Sequence, residues 1–178
     1  MGAPHNPDRY GEIWDQKRID LCLAELRAIR FYAVLSGGWA WHFMSPPGHP
    51  EYKHAHDHKD IDIHVPPTMV PTVIAILKGN GFEKVWTRYD KLPSDEDFRR
   101  YEKVVGETRI TIDFFVKSVP FVEIDGWRVV RPETLLTFYG DIHSSDKCFA
   151  VQAATRLIAE GIDPIGHPDL VTIPTMEG

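Results

Sequence analysis

Asp60-Ile61-Asp62-Ile63-His64-Val65 alternates polar and apolar residues without a break. This pattern constrains the fold more than any other stretch of the chain. Successive side chains of an extended strand point to opposite faces, so period-two alternation describes a strand with one buried side. Ile61, Ile63 and Val65 then face a core, while Asp60, Asp62 and His64 share the other side. Two carboxylates at i and i+2 project together, roughly 6.5–7 Å apart at the backbone. Hard divalent cations such as Mg²⁺ take carboxylate oxygens as ligands. Taken alone, such a pair more often means an exposed edge strand with solvated carboxylates.

The segment upstream changes that balance. Phe31 to Leu35 is a short aromatic and β-branched run, which predicts a buried strand. It ends in Ser36-Gly37-Gly38 and feeds a helix over Trp39 to Met44 that Pro46-Pro47 stops. Glycines there let backbone approach a ligand closely, and a helix N-terminus offers free N–H groups to a phosphate. Ser36 adds a hydroxyl. An ordinary strand-to-helix turn is the competing reading. Side by side, the two elements describe a phosphate cradle next to a cation cage.

A third carboxylate completes that cage. Phe98 to Val105 and Thr108 to Val116 flank Gly106-Glu107, and a two-residue loop with glycine first suits a type II′ hairpin. In the second strand Ile110, Ile112 and Phe114 form the core face, and Arg109, Thr111 and Asp113 the polar one. Val105 then pairs with Thr108, which sets Arg100 opposite Asp113 and Glu102 opposite Thr111 on one face. Two metal ions held by Asp60, Asp62 and Asp113 could bridge a phosphate and stabilise both attacking and leaving oxygens.

The remaining elements place this site in an α/β (α+β) domain with a mixed sheet flanked by helices. Residues 10–30 read as a helix with Ile19, Leu23, Leu26 and Arg30 along one stripe. Val70, Val73, Ile74 and Leu77 give another, closed by Gly79-Asn80-Gly81. Residues 82–92 suggest a strand, and 121–130 a hairpin about Asp125-Gly126. Pro132 opens a short helix in the favoured first position. Ser144 or Ser145 caps a final helix to Glu160. The length of 178 residues predicts a single domain, 1–178, with a core over 10–160 and an irregular tail over 164–178.

Leu-Ser-Gly-Gly-Trp-Ala (35–40), His-Lys-Asp-Ile-Asp-Ile (58–63) and Ile-Thr-Ile-Asp-Phe (110–114) together resemble the minimal nucleotidyltransferases of the DNA polymerase β superfamily. In motif they are nearest to the aminoglycoside and lincosamide nucleotidyltransferases. The resemblance covers residues 10–116 and extends weakly over 128–160. It implies a nucleotidyltransferase fold and transfer of a nucleoside monophosphate from an NTP, such as ATP, to an acceptor hydroxyl. Gly37 and Gly38 would contact the triphosphate, with Ser36 as helper. Asp60 and Asp62 would bind both Mg²⁺ ions (or Mn²⁺), and Asp113 would complete the catalytic-metal site. Lys147 would contact the triphosphate or be a solvated helix lysine. Arg100 would bind phosphate or neutralise Asp113. Glu102 is the general-base candidate, with a surface ion pair to Arg100 or Lys103 as the competing reading. The acid that drug-modifying relatives often carry shortly after Gly-Gly-Trp is replaced by Trp41-His42. That leaves the acceptor open among an antibiotic-like small molecule, RNA and protein. In a chain this short, a homodimer or partner subunit is expected to help form the acceptor pocket.

Two other function classes compete. His54, His56, His58 and His64 crowd one stretch, and Gly48 with His54-Ala-His56 mimics a cupin metal motif, suggesting a His-based metal-binding module or oxygenase. A non-catalytic relative that only binds nucleotide is the other. Trp39, Trp41 and Phe43 read as core packing. Twenty Lys and Arg against 26 Asp and Glu give a net charge of −6, which argues against a protein held to nucleic acid by global charge. No apolar run approaches the ~20 residues of a membrane span, and the N-terminus lacks the apolar region of a secretory signal. Two distant cysteines, Cys22 and Cys148, suit reduced core positions in a cytoplasmic protein.

Overall fold

The computed structural model describes residues 16–45, 59–88, 90 and 97–139, with 151, 154, 155, 158 and 159 as isolated positions. Helix α1 spans Gln16–Leu26 and continues as a 3₁₀ turn over Arg27–Ile29. Its buried stripe is Ile19, Cys22, Leu26 and Ile29. The stripe expected from sequence held Leu23 and Arg30 instead. A 3₁₀ turn advances each residue further around the axis than an α-helix does, so the last turn brings Ile29 inward and carries Arg30 out. Leu23 packs only at the margin of the core. The Arg30 guanidinium lies 4.6 Å from the centre of the Phe31 ring.

Strand β1 is shorter than the apolar run that foretold it, spanning Val34–Ser36. The amides of Tyr32 and Ala33 both donate to the Ile29 carbonyl, at 2.9 and 3.1 Å, so the chain is still turning there. Phe31 is exposed rather than buried. Helix α2 follows directly over Gly37–Met44, and its Trp39, Ala40, Trp41 and Met44 are buried. Strand β2 spans Ile61–Val65 and helix α3 Val70–Gly79. Strand β3 covers only Glu83–Val85 of the expected 82–92. Beyond it Thr87 donates its N–H to the Asp90 carboxylate at 2.7 Å, which closes a turn where pairing would otherwise continue.

Strands β4 (Phe98–Val105) and β5 (Thr108–Val116) form the expected hairpin. Val105 faces Thr108, Glu102 faces Thr111, and Arg100 faces Asp113. Gly106 has a φ of +62°, and Glu107 does not share its positive sign, the type II′ signature. Strands β6 (Phe121–Ile124) and β7 (Trp127–Val130) form a second hairpin. Both of its turn residues, Asp125 and Gly126, have positive φ, as type I′ requires. Helix α4 spans Pro132–Tyr139.

The strands form one seven-stranded sheet in the order β3-β4-β5-β2-β1-β7-β6. β2 runs antiparallel to β1 and parallel to β5, and β1 runs parallel to β7. The sheet is therefore mixed, and the described residues add four α-helices to it. Ile61, Ile63, Val65, Ile110, Ile112 and Phe114 are essentially inaccessible and line one face. Helix α1 lies on that side, since its Glu25 binds Nζ of Lys103, the cross-strand partner of Ile110, at 2.6 Å. Helix α4 meets the opposite face, where Phe138 stacks on His64. No helix among the described residues is long and apolar enough to cross a membrane.

Candidate active site

Register alone assembles the polar face. Ser36 pairs with Asp62, Asp62 with Asp113, and Asp113 with Arg100. These four residues come from β1, β2, β5 and β4 and lie in one row across the sheet. Asp60 stands two residues before Asp62, at the entry to β2, and Glu102 stands two residues beyond Arg100. Both fall on the same face, one step along the strands.

At one end of the row the backbone turns sharply out of β1. Gly37 holds a φ of +57°, and a Cβ placed on it would overlap Oδ2 of Asp62. Only glycine allows the helix start to approach that carboxylate so closely. Ser36 precedes it in extended conformation, and its side chain makes no capping hydrogen bond to α2. Gly38 lies in the first turn of the helix and is buried.

At the other end Arg100 clasps the acids. Its Nε donates to Asp113 Oδ1 at 2.7 Å and its Nη2 to Asp113 Oδ2 at 2.9 Å, a two-pronged charged pair. The same Nη2 reaches Asp60 Oδ2 at 3.5 Å. The Asp113 carboxylate, followed by Asp60 and Glu102, holds the guanidinium charged well above its ordinary range. Glu102 accepts from Thr111 Oγ1 and from Arg109 Nη1, both at 3.3 Å. The surface pair to Arg100 or Lys103 considered from sequence is replaced by one to Arg109, because Arg100 takes Asp113 and Asp60 while Lys103 points to the other face and takes Glu25.

Oxygen donors on one face suit a hard divalent cation, and Asp60, Asp62 and Asp113 supply them. Among the described residues, however, no three His, Cys, Asp or Glu side chains are closed up around a shared cation position. Arg100 brings positive charge to Asp113 and Asp60. His54, His56 and His58 lie outside the described residues, as do Lys147 and Cys148. The helix-flanked mixed sheet is not the all-β barrel that the cupin reading requires.

A second row of side chains runs next to the acids. His64 shares its face with Asp62 and pairs with Phe115, which pairs with Phe98. The imidazole is 7 % exposed and stacks between Phe115 and Phe138, with ring centres 5.3 and 5.0 Å away. Burial, and then the Lys117 charge, push its pKa down to about 4. These rings border a cavity of about 460 Å³ that also touches Ser36, Gly37, Asp62, Asp97, Lys117 and Leu135. The clue lay in strand parity: 60, 62 and 64 share one face, as do 113 and 115. Phe138 carried no such clue, because nothing local aligns α4 with β2.

A solved structure shows the same architecture. The antibiotic-resistance factor ANT(2'')-Ia, determined in solution, aligns with 83% of this chain and 85% of its own at a TM-score of 0.50 and 16% identity. The fold is nucleotidyltransferase-like. At that identity the likeness speaks to fold alone. No protein-family profile matches the sequence, and no curated protein matches it significantly.

Proposed function

We propose that this chain is a metal-dependent nucleotidyltransferase that moves a nucleoside monophosphate from an NTP to an acceptor hydroxyl. The observation that supports this most is the row Ser36–Asp62–Asp113–Arg100 with Asp60 beside it, ending at the bare backbone corner of Gly37. Oxygen-rich carboxylates next to free helix N–H groups match the two things an Mg–triphosphate presents.

In this reading Asp60 and Asp62 hold both Mg²⁺ ions and Asp113 the catalytic one; Mn²⁺ can substitute. When bound, the metal ions neutralise charge on the reacting phosphate. The amides at Gly37 and Gly38, with the Ser36 hydroxyl, hold the outer phosphates. Glu102 takes the proton from the acceptor hydroxyl. The acceptor oxygen attacks the α-phosphorus, the bond to the β-phosphate oxygen breaks, and pyrophosphate leaves with that electron pair. Positioning and charge neutralisation supply most of the rate. The acceptor is a small molecule such as an antibiotic, an RNA or a protein, and a second copy or partner subunit helps to enclose it.

Incubating the protein with each labelled NTP, Mg²⁺ and a cell extract tests the reading. Label is expected in one acceptor fraction: small molecules, RNA or protein. The double variant Asp60→Ala, Asp62→Ala is expected to lose at least about a hundredfold in transfer. Transfer that survives in that variant, or no label from any NTP, would overturn the assignment.

A further inference from the structure

Arg100 lies where an incoming cation would have to go. Both oxygens of Asp113 are engaged by its guanidinium at 2.7 and 2.9 Å, and Asp60 Oδ2 lies 3.5 Å from the same group. A guanidinium donates only; it has no lone pair to share with a metal and repels one electrostatically. Asp113 is largely buried, with 12 % of its side chain exposed. Pulling Arg100 away without a replacement would strand the buried Asp113 carboxylate. The side chain of Arg100 keeps 27 % of its surface open, so it has room to turn outward.

We propose that Arg100 is a resident counter-ion that keeps the acid row closed to divalent cations until a polyphosphate arrives to receive its guanidinium. This rests on the nucleotidyltransferase reading and adds to it an order of events. A divalent cation alone must evict Arg100 into water. A metal–polyphosphate complex brings the cation for Asp60, Asp62 and Asp113 together with an anion whose paired oxygens suit the guanidinium fork. Metal and polyphosphate therefore bind cooperatively, each strengthening the other by the same factor. Arg100 is a positioning residue for the metal ligands before the polyphosphate binds and a phosphate contact once it has bound.

Calorimetric titration of Mn²⁺ into the nucleotide-free protein tests this without turnover. Arg100→Gln is expected to bind Mn²⁺ about ten- to a hundredfold more tightly than wild type, since it removes the competing charged pair. Arg100→Lys, which keeps the charge and loses the fork, is expected to fall between them. Equal Mn²⁺ affinity in wild type and Arg100→Gln overturns the inference. Equilibrium dialysis of labelled α,β-methylene analogues of the NTPs separates that failure from a deeper one. Mg²⁺-dependent analogue binding by wild type keeps the nucleotidyltransferase reading standing, and its absence overturns both.

Should Arg100→Gln fail to fold, NMR of wild type decides. The Arg100 Nε–H resonance, assigned by its loss in Arg100→Lys, is expected to persist in Mg²⁺ alone. It is expected to shift when an α,β-methylene analogue is added with Mg²⁺. An equal shift with Mg²⁺ alone overturns the inference.

Discussion

Two glycines with nearly the same backbone angle carry different burdens. Gly37 and Gly106 sit at φ of +57° and +62°, a region that costs an L-residue about 1–2 kcal/mol. Around Gly106 a Cβ would find open space, whereas at Gly37 it would run into Asp62 Oδ2. Gly106→Ala is therefore expected to lower unfolding free energy by about 1 kcal/mol and leave nucleotide binding intact. Gly37→Ala is expected to cost about 2–4 kcal/mol, strain plus overpacking, and to abolish Mg²⁺-dependent nucleotide binding by displacing Asp62. Urea denaturation compares the two, and equal costs would show that the contact with Asp62 is dispensable. The need for glycine at the corner was evident from Ser36-Gly37-Gly38 alone. Which carboxylate it accommodates was not, since Gly37 and Asp62 lie far apart in the chain and meet only when β1 pairs with β2.

Whole elements are held by apolar seams, with ion pairs at the margins. Helix α1 docks through Ile19, Cys22 and Leu26, the last of which is 1 % exposed, while Glu25–Lys103 bridges it to β4. Leu26→Ala is expected to cost about 2–5 kcal/mol by opening a cavity. Glu25→Gln is expected to cost under about 1 kcal/mol, as for other ion pairs near the surface. Thermal unfolding of the two variants measures the contrast, and a larger loss in Glu25→Gln would reverse this ranking. The elements whose turns are chemically specified were readable before folding was known. Gly106-Glu107 and Asp125-Gly126 dictate their hairpins, so Arg100 opposite Asp113 followed by counting. Where local signals were generic, boundaries moved: the aromatic run at Phe31 predicted a strand, yet the chain turns until Val34. At the end of α1 the stripe moved from Arg30 to Ile29 because a 3₁₀ ending changes the angular step, which side-chain spacing does not reveal.

Across the molecule, acid and base behaviour converges on the cavity beside the site. Buried His64 is neutral in the fold, with its pKa near 4. In the unfolded chain it takes a proton at its ordinary value near 6.5. Its neutral burial therefore contributes fully above pH 6.5, and stability is lost as pH falls from there toward 4. The difference amounts to about 3 kcal/mol at the acid end. Lys117 adds to the effect, while Asp62 and Asp97 border the same cavity. His64→Phe keeps an aromatic ring between Phe115 and Phe138 and removes the titration. Its unfolding free energy is expected to fall less than that of wild type between neutral pH and pH 4.5, and parallel curves would remove His64 as the cause. A net charge of −6 further implies that an NTP, itself an anion, approaches against the overall field unless its charge is masked by a cation.

The row at the heart of the sheet also sets a schedule for biosynthesis. Its members stand at 36, 62, 100 and 113, and the long parallel pairing of β2 with β5 cannot form until the last of them has left the ribosome. Through that interval the growing chain carries Asp60 and Asp62 with no β5 in place to bring β4 and its Arg100 beside them. The row Ser36–Asp62–Asp113–Arg100 thus comes into being late and all at once, and no nascent fragment ending before β5 possesses it.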